Sequence, residues 1–102
     1  MSARRFSVNL SAEAQTDYDD ILLYGLLNWG NQQTEYYKAA LDEAIERLRR
    51  FPEFGARRDE LCPGCRAVPI ERHVIYYRVE ANVIQIIRII HGRSDAAHHL
   101  PR

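Results

Sequence analysis

Residues 83–90, which read VIQIIRII, restrict the fold more than any other part of the chain. A strand with one exposed face alternates apolar and polar residues, whereas this run is apolar almost throughout. Such a run is typical of a strand that is buried on both faces. We therefore predict a central strand here. A charge within it must be paired, so we expect Arg88 to bind an acidic group such as one from the first helix.

Two stretches have helical spacing and are separated by a short link, which predicts an antiparallel helical hairpin. The first helix is predicted at 12–29, with Ser11 as its N-cap, and the second at 32–51, closed by Pro52. The apolar stripes that should face the sheet are Ala14, Tyr18, Ile21, Leu22, Gly25 and Trp29 in the first helix, and Tyr37, Leu41, Ala44, Ile45, Leu48 and Phe51 in the second.

The remaining segments predict strands at 6–10, 68–70 and 73–79 beside the central one, with a loop at 53–65. Pro69 cannot donate a ladder hydrogen bond, so its strand should form an edge or a bulge. The order β-α-α-β-β-β implies an α+β domain, with the helical hairpin packed on one face of a small, mostly antiparallel sheet. We expect one domain over 1–102, with a tail from about 93 that is frayed or forms one short helical turn.

The formal net charge of zero conceals an uneven distribution. Up to Glu46 the chain has three basic and eight acidic residues, whereas beyond it there are eleven arginines and six acidic residues. The second half therefore carries a positive field, which suits either an anionic partner or a plain solvated surface. No apolar run approaches the roughly 20 residues of a membrane span, and no secretory signal is recognisable at the start. We expect a cytoplasmic protein without membrane contact.

Cys62 and Cys65 have the C-x-x-C spacing of half a zinc site or of a redox pair. Zinc would require two further ligands, and strands follow where a redox motif would have a helix. Pro63 and Gly64 instead favour a tight turn, with a labile disulfide or metal contact as the alternative. As turn residues, both cysteines should tolerate serine with a stability change below about 1 kcal/mol.

The order and spacing of the landmarks resemble the ParE branch of the RelE/ParE toxin superfamily over nearly the whole chain. The block His73-Val-Ile-Tyr-Tyr-Arg78, followed by Arg88-Ile-Ile-His-Gly-Arg93, carries most of this resemblance. The other matching positions are Asp20-Ile21, Tyr24, Trp29-Gly30, Gln33, Tyr37, Leu48, Phe51-Pro52, Gly55, Arg57, Gly64, Arg66 and Asp95. Cys65 and Ser94 depart from residues common in the family, in regions that could tune target contact.

The resemblance implies the toxin of a type II toxin–antitoxin system, which needs no cofactor or metal. It implies a ParD-like antitoxin whose C-terminal segment wraps over the toxin's helices, with DNA reached only through that antitoxin. It also implies DNA gyrase as the target of the freed toxin. The alternatives are a ribosome-dependent mRNA endoribonuclease of the RelE branch, and a toxin-like module that only binds its antitoxin.

Arg66, His91 and Arg93 are predicted to lie near strand ends at one rim of the sheet, where they would contact the target. If the chain is an RNase, the same three residues are the catalytic candidates, because cleavage needs an acid, a base and cations. The RelE branch uses clustered Lys and Arg with a C-terminal Tyr or His, whereas the single Lys here, Lys38, lies on a predicted helix. We therefore expect binding without catalysis. His73 is expected to be structural, bonded to neighbouring backbone, and His98-His99 to be a solvated end.

The first helix has more leucines than one buried stripe requires, at Leu23, Leu26 and Leu27. In a two-layer domain only one face of a helix meets the sheet, so a second apolar surface needs its own cover. These leucines, together with Trp29, are the predicted antitoxin-binding residues, in keeping with an amphipathic helix laid in a groove. The alternative is that the second helix buries all of them.

Overall fold

The structure is a computed structural model that describes residues 5–101. The predicted order of elements is confirmed, with one additional two-residue strand and a short C-terminal helix. In chain order the elements are β1 (Ser7–Leu10), α1 (Ala12–Asn28), α2 (Asn31–Arg50), β2 (Ala56–Arg57), β3 (Arg66–Ile70), β4 (His73–Glu80), β5 (Val83–His91) and α3 (Ala96–His99).

The five strands form one sheet in the order β1-β5-β4-β3-β2, in which only β1 and β5 are parallel. β5 lies between β1 and β4, so the predicted interior position of its apolar run is confirmed. β2 pairs only with Arg66 and Ala67 of β3. The part of β3 that contains Pro69 is therefore an edge of the sheet, as expected for a residue without a backbone N–H. The predicted loop at 53–65 therefore contains β2, which two residues were too few to signal.

Two separate apolar clusters cover the two faces of the sheet. The larger cluster joins the helical hairpin to one face through Ala14, Tyr37, Leu41, Ala44, Leu48, Val68, Ile75, Tyr77, Ile84, Ile86 and Ile89. The smaller cluster lies on the other face and contains Cys62, Cys65, Ala67, Tyr76, Ile90 and Leu100. β5 contributes residues to both clusters, so both of its faces are covered by apolar side chains. This explains why its sequence is apolar almost throughout.

The tail forms the helical turn that was one of its two predicted states. α3 is followed by Leu100, whose side chain is buried in the smaller cluster. The tail is thus packed against the sheet as far as Leu100. Phe51 was predicted to belong to the apolar stripe of the second helix that faces the sheet. This prediction is wrong, because α2 ends at Arg50 and the Phe51 side chain is 61% exposed.

α1 and α2 approach each other closely near their link. A Cβ atom added at Gly25 would lie 2.7 Å from Thr34 Oγ1, so only glycine fits there without movement. Gly30, with a φ of 88°, turns the chain between the helices in a conformation that side-chain-bearing residues rarely adopt. Within residues 5–101, no helix is both long enough and apolar enough to cross a membrane.

Candidate binding site on the first helix and the adjoining groove

The additional leucines of α1 lie on the surface that faces away from the sheet. Leu23, Leu26 and Leu27 are 56%, 49% and 76% exposed, and Tyr24 beside them is also exposed. Their spacing of one, three and four residues places them on one contiguous arc of the helix. We call these four residues the α1 patch. The alternative expectation, that α2 would bury all three leucines, is wrong, because α2 meets α1 on the Gly25 side.

Trp29 lies at the end of α1, between the α1 patch and the end of the sheet. Its ring is nearly perpendicular to that of Tyr24, at a centroid distance of 5.5 Å, and lies 6.2 Å from the ring of Tyr37. The guanidinium carbon of Arg72 lies over Trp29, 5.0 Å from the ring centroid. Trp29 is therefore half-buried, and it joins the α1 patch to the residues described next.

A groove of about 400 Å³ opens beside Trp29, where α1 passes over the end of the sheet. β4 begins there at His73 and β5 ends there at His91, and the two histidines are partners in the sheet register. Their rings are 5.5 Å apart between centroids. The residues that line the groove are Asp20, Ile21, Tyr24, Trp29, Arg72, His73 and His91.

His73 is held in place by Tyr37 of α2, whose Oη atom lies 2.6 Å from Nδ1 of the imidazole. The same Oη accepts a hydrogen bond from the backbone N–H of Arg72 at 3.2 Å. Burial lowers the pKa of His73, and the neighbouring His91 lowers it further. The imidazole has a hydrogen-bond partner, as predicted, but the predicted backbone partner is wrong, because the Tyr37 hydroxyl reaches the ring from α2.

The three predicted target-binding residues do not share a rim. β3 and β5 both run antiparallel to β4, so the start of β3 and the end of β5 lie at opposite ends of the sheet. Arg66 pairs with Tyr77, whereas His91 pairs with His73 four positions away, about 13 Å along the strand. The Arg66 guanidinium instead donates to the carbonyl of Gly55 at 2.8 Å, which fastens the loop before β2.

Arg93 does lie close to His91. The backbone N–H of Arg93 donates to Nδ1 of His91 at 3.1 Å, and both side chains are exposed. Of the predicted set, the structure therefore keeps His91 and Arg93 together and separates Arg66 from them. Two groups that the sequence reading did not assign to the site, Asp20 and Arg72, line the groove instead. Antiparallel pairing of the His73 and His91 strands was the sequence signal that could have indicated this groove.

Arg88 has the acidic partner that was predicted for it. Its Nε atom donates to Oδ2 of Asp17 on α1 at 2.7 Å, and the pair is largely buried. This hydrogen bond is the main reason that the pKa of Arg88 is raised. Arg88 is therefore engaged within the fold, with a second contact to the His99 carbonyl at 3.3 Å.

Cys62 and Cys65 form the predicted turn, in which the N–H of Cys65 donates to the Cys62 carbonyl at 3.0 Å. Gly64 has a φ of 75°, as a turn of this kind requires. Both thiols are free and buried, and burial raises the pKa of Cys65 to about 12. Among residues 5–101, no group of three or more His, Cys, Asp and Glu side chains could hold a metal ion. His98 and His99 are exposed.

The fold defines the structural class, an α+β domain in which a helical hairpin packs on one face of a small, mostly antiparallel sheet. The structure superposes with a TM-score of 0.73 on the chromosomal ParDE toxin–antitoxin system from P. aeruginosa, at 24% identity, with 86% of this chain and 97% of that chain covered. The RelBE2 toxin–antitoxin complex from Mycobacterium tuberculosis gives a TM-score of 0.58 at 18% identity, covering 85% and 98%.

The sequence comparisons identify the family within this class. The profile of the ParE toxin of type II toxin–antitoxin system, parDE, matches residues 8–96. Toxin ParE1 of Caulobacter vibrioides is 36% identical over 91 residues, which cover 89% of this chain and 94% of that protein. The chain belongs to the ParE toxin family of type II toxin–antitoxin systems.

Proposed function

We propose that this protein is a toxin that a cognate ParD-like antitoxin neutralises by covering the α1 patch, and that the free toxin inhibits DNA gyrase in the cytoplasm. The observation that carries the first part is the α1 patch itself, three leucines and a tyrosine exposed side by side on one helix. Membership of the ParE family supports the pairing with an antitoxin. The solved relative from P. aeruginosa is described as a toxin–antitoxin system, in line with such a partner.

The size of the patch suits an amphipathic partner helix. Complete burial of a fully exposed leucine side chain contributes roughly 1.5–3 kcal/mol. Leu23, Leu26 and Leu27 are 49–76% exposed, so covering each of them can supply about half to three-quarters of that. Isolated exposed leucines are common on protein surfaces, but adjacent ones on one helix form a patch that a partner typically covers. A helix with apolar residues at intervals of three and four would meet all three leucines at once.

The antitoxin surface is tested by introducing a charge on the exposed arc. We expect Leu23→Asp or Leu27→Asp to weaken antitoxin binding strongly in calorimetric titration, while thermal unfolding stays close to that of the unmodified protein. Phe54→Asp is the matched control, because Phe54 is 54% exposed against 56% for Leu23 but follows the other end of the hairpin. Equal affinities for all three variants would refute the proposed surface.

The target is tested in a purified DNA supercoiling reaction with gyrase, to which toxin released from its antitoxin is added. We expect supercoiling to stop. An inhibitor that acts by binding needs shape and charge, so His91→Gln should be mild and Arg93→Glu severe, since a reversed charge repels an anionic surface. Arg93 is the more informative arginine, because reversing Arg66 would also remove its hydrogen bond to the Gly55 carbonyl.

One observation favours the endoribonuclease as a second candidate function. Two imidazoles, His73 and His91, and the guanidinium of Arg72 line a single groove, and RNA cleavage requires groups of these types. If the protein cleaves mRNA on the ribosome, His91→Gln should reduce cleavage about 10²-fold or more, the usual contribution of a general acid or base. Intact ribosome-bound mRNA after incubation with the released toxin would eliminate this candidate.

A further inference from the structure

The groove beside Trp29 contains a cation that the fold does not neutralise. The guanidinium carbon of Arg72 lies over the Trp29 ring, 5.0 Å from its centroid. Within residues 5–101, no carboxylate forms an ion pair with Arg72. Six of the eleven arginines within residues 5–101 have a carboxylate partner, for example Arg88 with Asp17 and Arg57 with Asp59, and Arg72 is one of the five that have none. Arg72 is therefore oriented by an aromatic face but has its hydrogen-bonding capacity unused.

The N–H donors of the Arg72 guanidinium are unused within residues 5–101, since only the backbone N–H of Arg72 donates a hydrogen bond there. These donors lie along the edge of a planar group. That edge matches the two oxygens of a carboxylate in a bidentate arrangement, which gives stronger and more directional hydrogen bonds than a neutral pair. The exposed His91 lines the same groove and can add a further polar contact to an anionic group.

The groove continues directly from the α1 patch. Tyr24 belongs to both, and Leu27 lies one helical turn beyond it on the same side of α1. A partner helix that covers the leucines would therefore bring its neighbouring side chains to the mouth of the groove. Asp20 lines the groove from the α1 side and disfavours a second negative charge there, which directs an acidic group toward Arg72.

We propose that the groove binds a carboxylate side chain, Asp or Glu, of the antitoxin, with Arg72 as the residue that holds it. This inference rests on the proposed function, since it names the chemistry of one anchor within the same partner. The apolar contacts on the α1 patch would supply most of the buried surface, and the charged contact would fix the position of the partner along α1.

The test measures the affinity of the purified antitoxin for toxin variants at low ionic strength. Arg72→Gln should weaken binding about tenfold or more, because a charge-assisted bidentate pair is lost. Arg72→Lys should recover only part of the affinity, because an ammonium lacks the planar fork. Arg50→Gln, at the far end of the hairpin, is the matched control and should bind as the unmodified toxin does. Asp20→Asn should tighten binding, because it removes a repulsive charge.

The anchor itself is identified by changing each Asp and Glu of the antitoxin to its amide and combining each change with Arg72→Gln. At one antitoxin position, the effects of the amide change and of Arg72→Gln on the binding free energy should not be additive. At all other positions they should be additive. Equal affinities of Arg72→Gln and Arg50→Gln would overturn the inference, and so would weaker binding by Asp20→Asn, which would indicate a basic occupant. In either case, loss of binding by Leu23→Asp would leave the proposed function standing. If Arg72→Gln does not fold, the amide scan against Arg72→Lys decides.

Discussion

Asp17 of α1 and Arg88 of β5 form a two-point ion pair that joins the helical hairpin to the sheet. Nε and one terminal nitrogen of Arg88 donate to the two carboxylate oxygens at 2.7 and 2.9 Å. Asp17 also accepts the backbone N–H of Ile89 at 2.9 Å. Arg88 lies beside the β-bulge at which the register of β4 and β5 shifts. Bulges of this kind redirect side chains, and here the guanidinium reaches both α1 and the tail.

Removal of one member of this pair should destabilise the fold. We expect Arg88→Met to lower the free energy of unfolding by roughly 2–4 kcal/mol, because it leaves the Asp17 carboxylate largely buried without its counter-charge. Urea unfolding monitored by Trp29 fluorescence measures the change. The double variant Asp17→Leu with Arg88→Met should recover much of the loss. If that double variant is less stable than Arg88→Met, the pair contributes in a way that charge burial does not explain.

Burial of the turn cysteines changes the expectation for their replacement. Cys65 is fully buried in the smaller cluster, so the hydroxyl of Cys65→Ser would lose water without gaining a good partner. We expect Cys65→Ser to cost about 1–3 kcal/mol. Cys65→Ala, which adds no polar atom, is the matched control and should be less destabilising in the same urea titration. Serine and alanine variants of equal stability would argue against a desolvation cost.

His73 predicts a specific pH dependence of stability. Its pKa in the folded protein lies below the ordinary value, so in the interval between the two the unfolded chain binds a proton that the folded chain does not. Stability should therefore rise with pH across this interval and fall as the solution is acidified through the ordinary histidine pKa of 6.5. His73→Gln, compared with the unmodified protein by urea unfolding across this range, should show a smaller slope. If the unmodified protein is more stable at acidic pH than at neutral pH, the lowered pKa of His73 does not control this pH dependence.

Features whose signal lies within one segment of the chain were predictable from the sequence, whereas features that depend on distant segments were not. The bounds of α1 and α2 were predicted to within a residue, because helical periodicity and the stops at Gly30 and Pro52 are local. Exposure of Leu23 and Leu27 was also foreseen, since one helix cannot bury two faces in a small domain. The shared rim for Arg66 and His91 was wrong, because strand direction depends on pairing between segments that are far apart in the chain.

By itself, the sequence determined the types of element, the interior position of β5, the need of Arg88 for an acidic partner and the excess of leucine on α1. Each of these follows from residue chemistry and spacing within a single segment. Only the tertiary structure decided that Asp17 is that partner, that Arg72 stacks on Trp29, and that His73 meets His91 in one groove. These juxtapositions depend on strand register and on the angle at which the hairpin crosses the sheet, which are set by packing between distant parts of the chain.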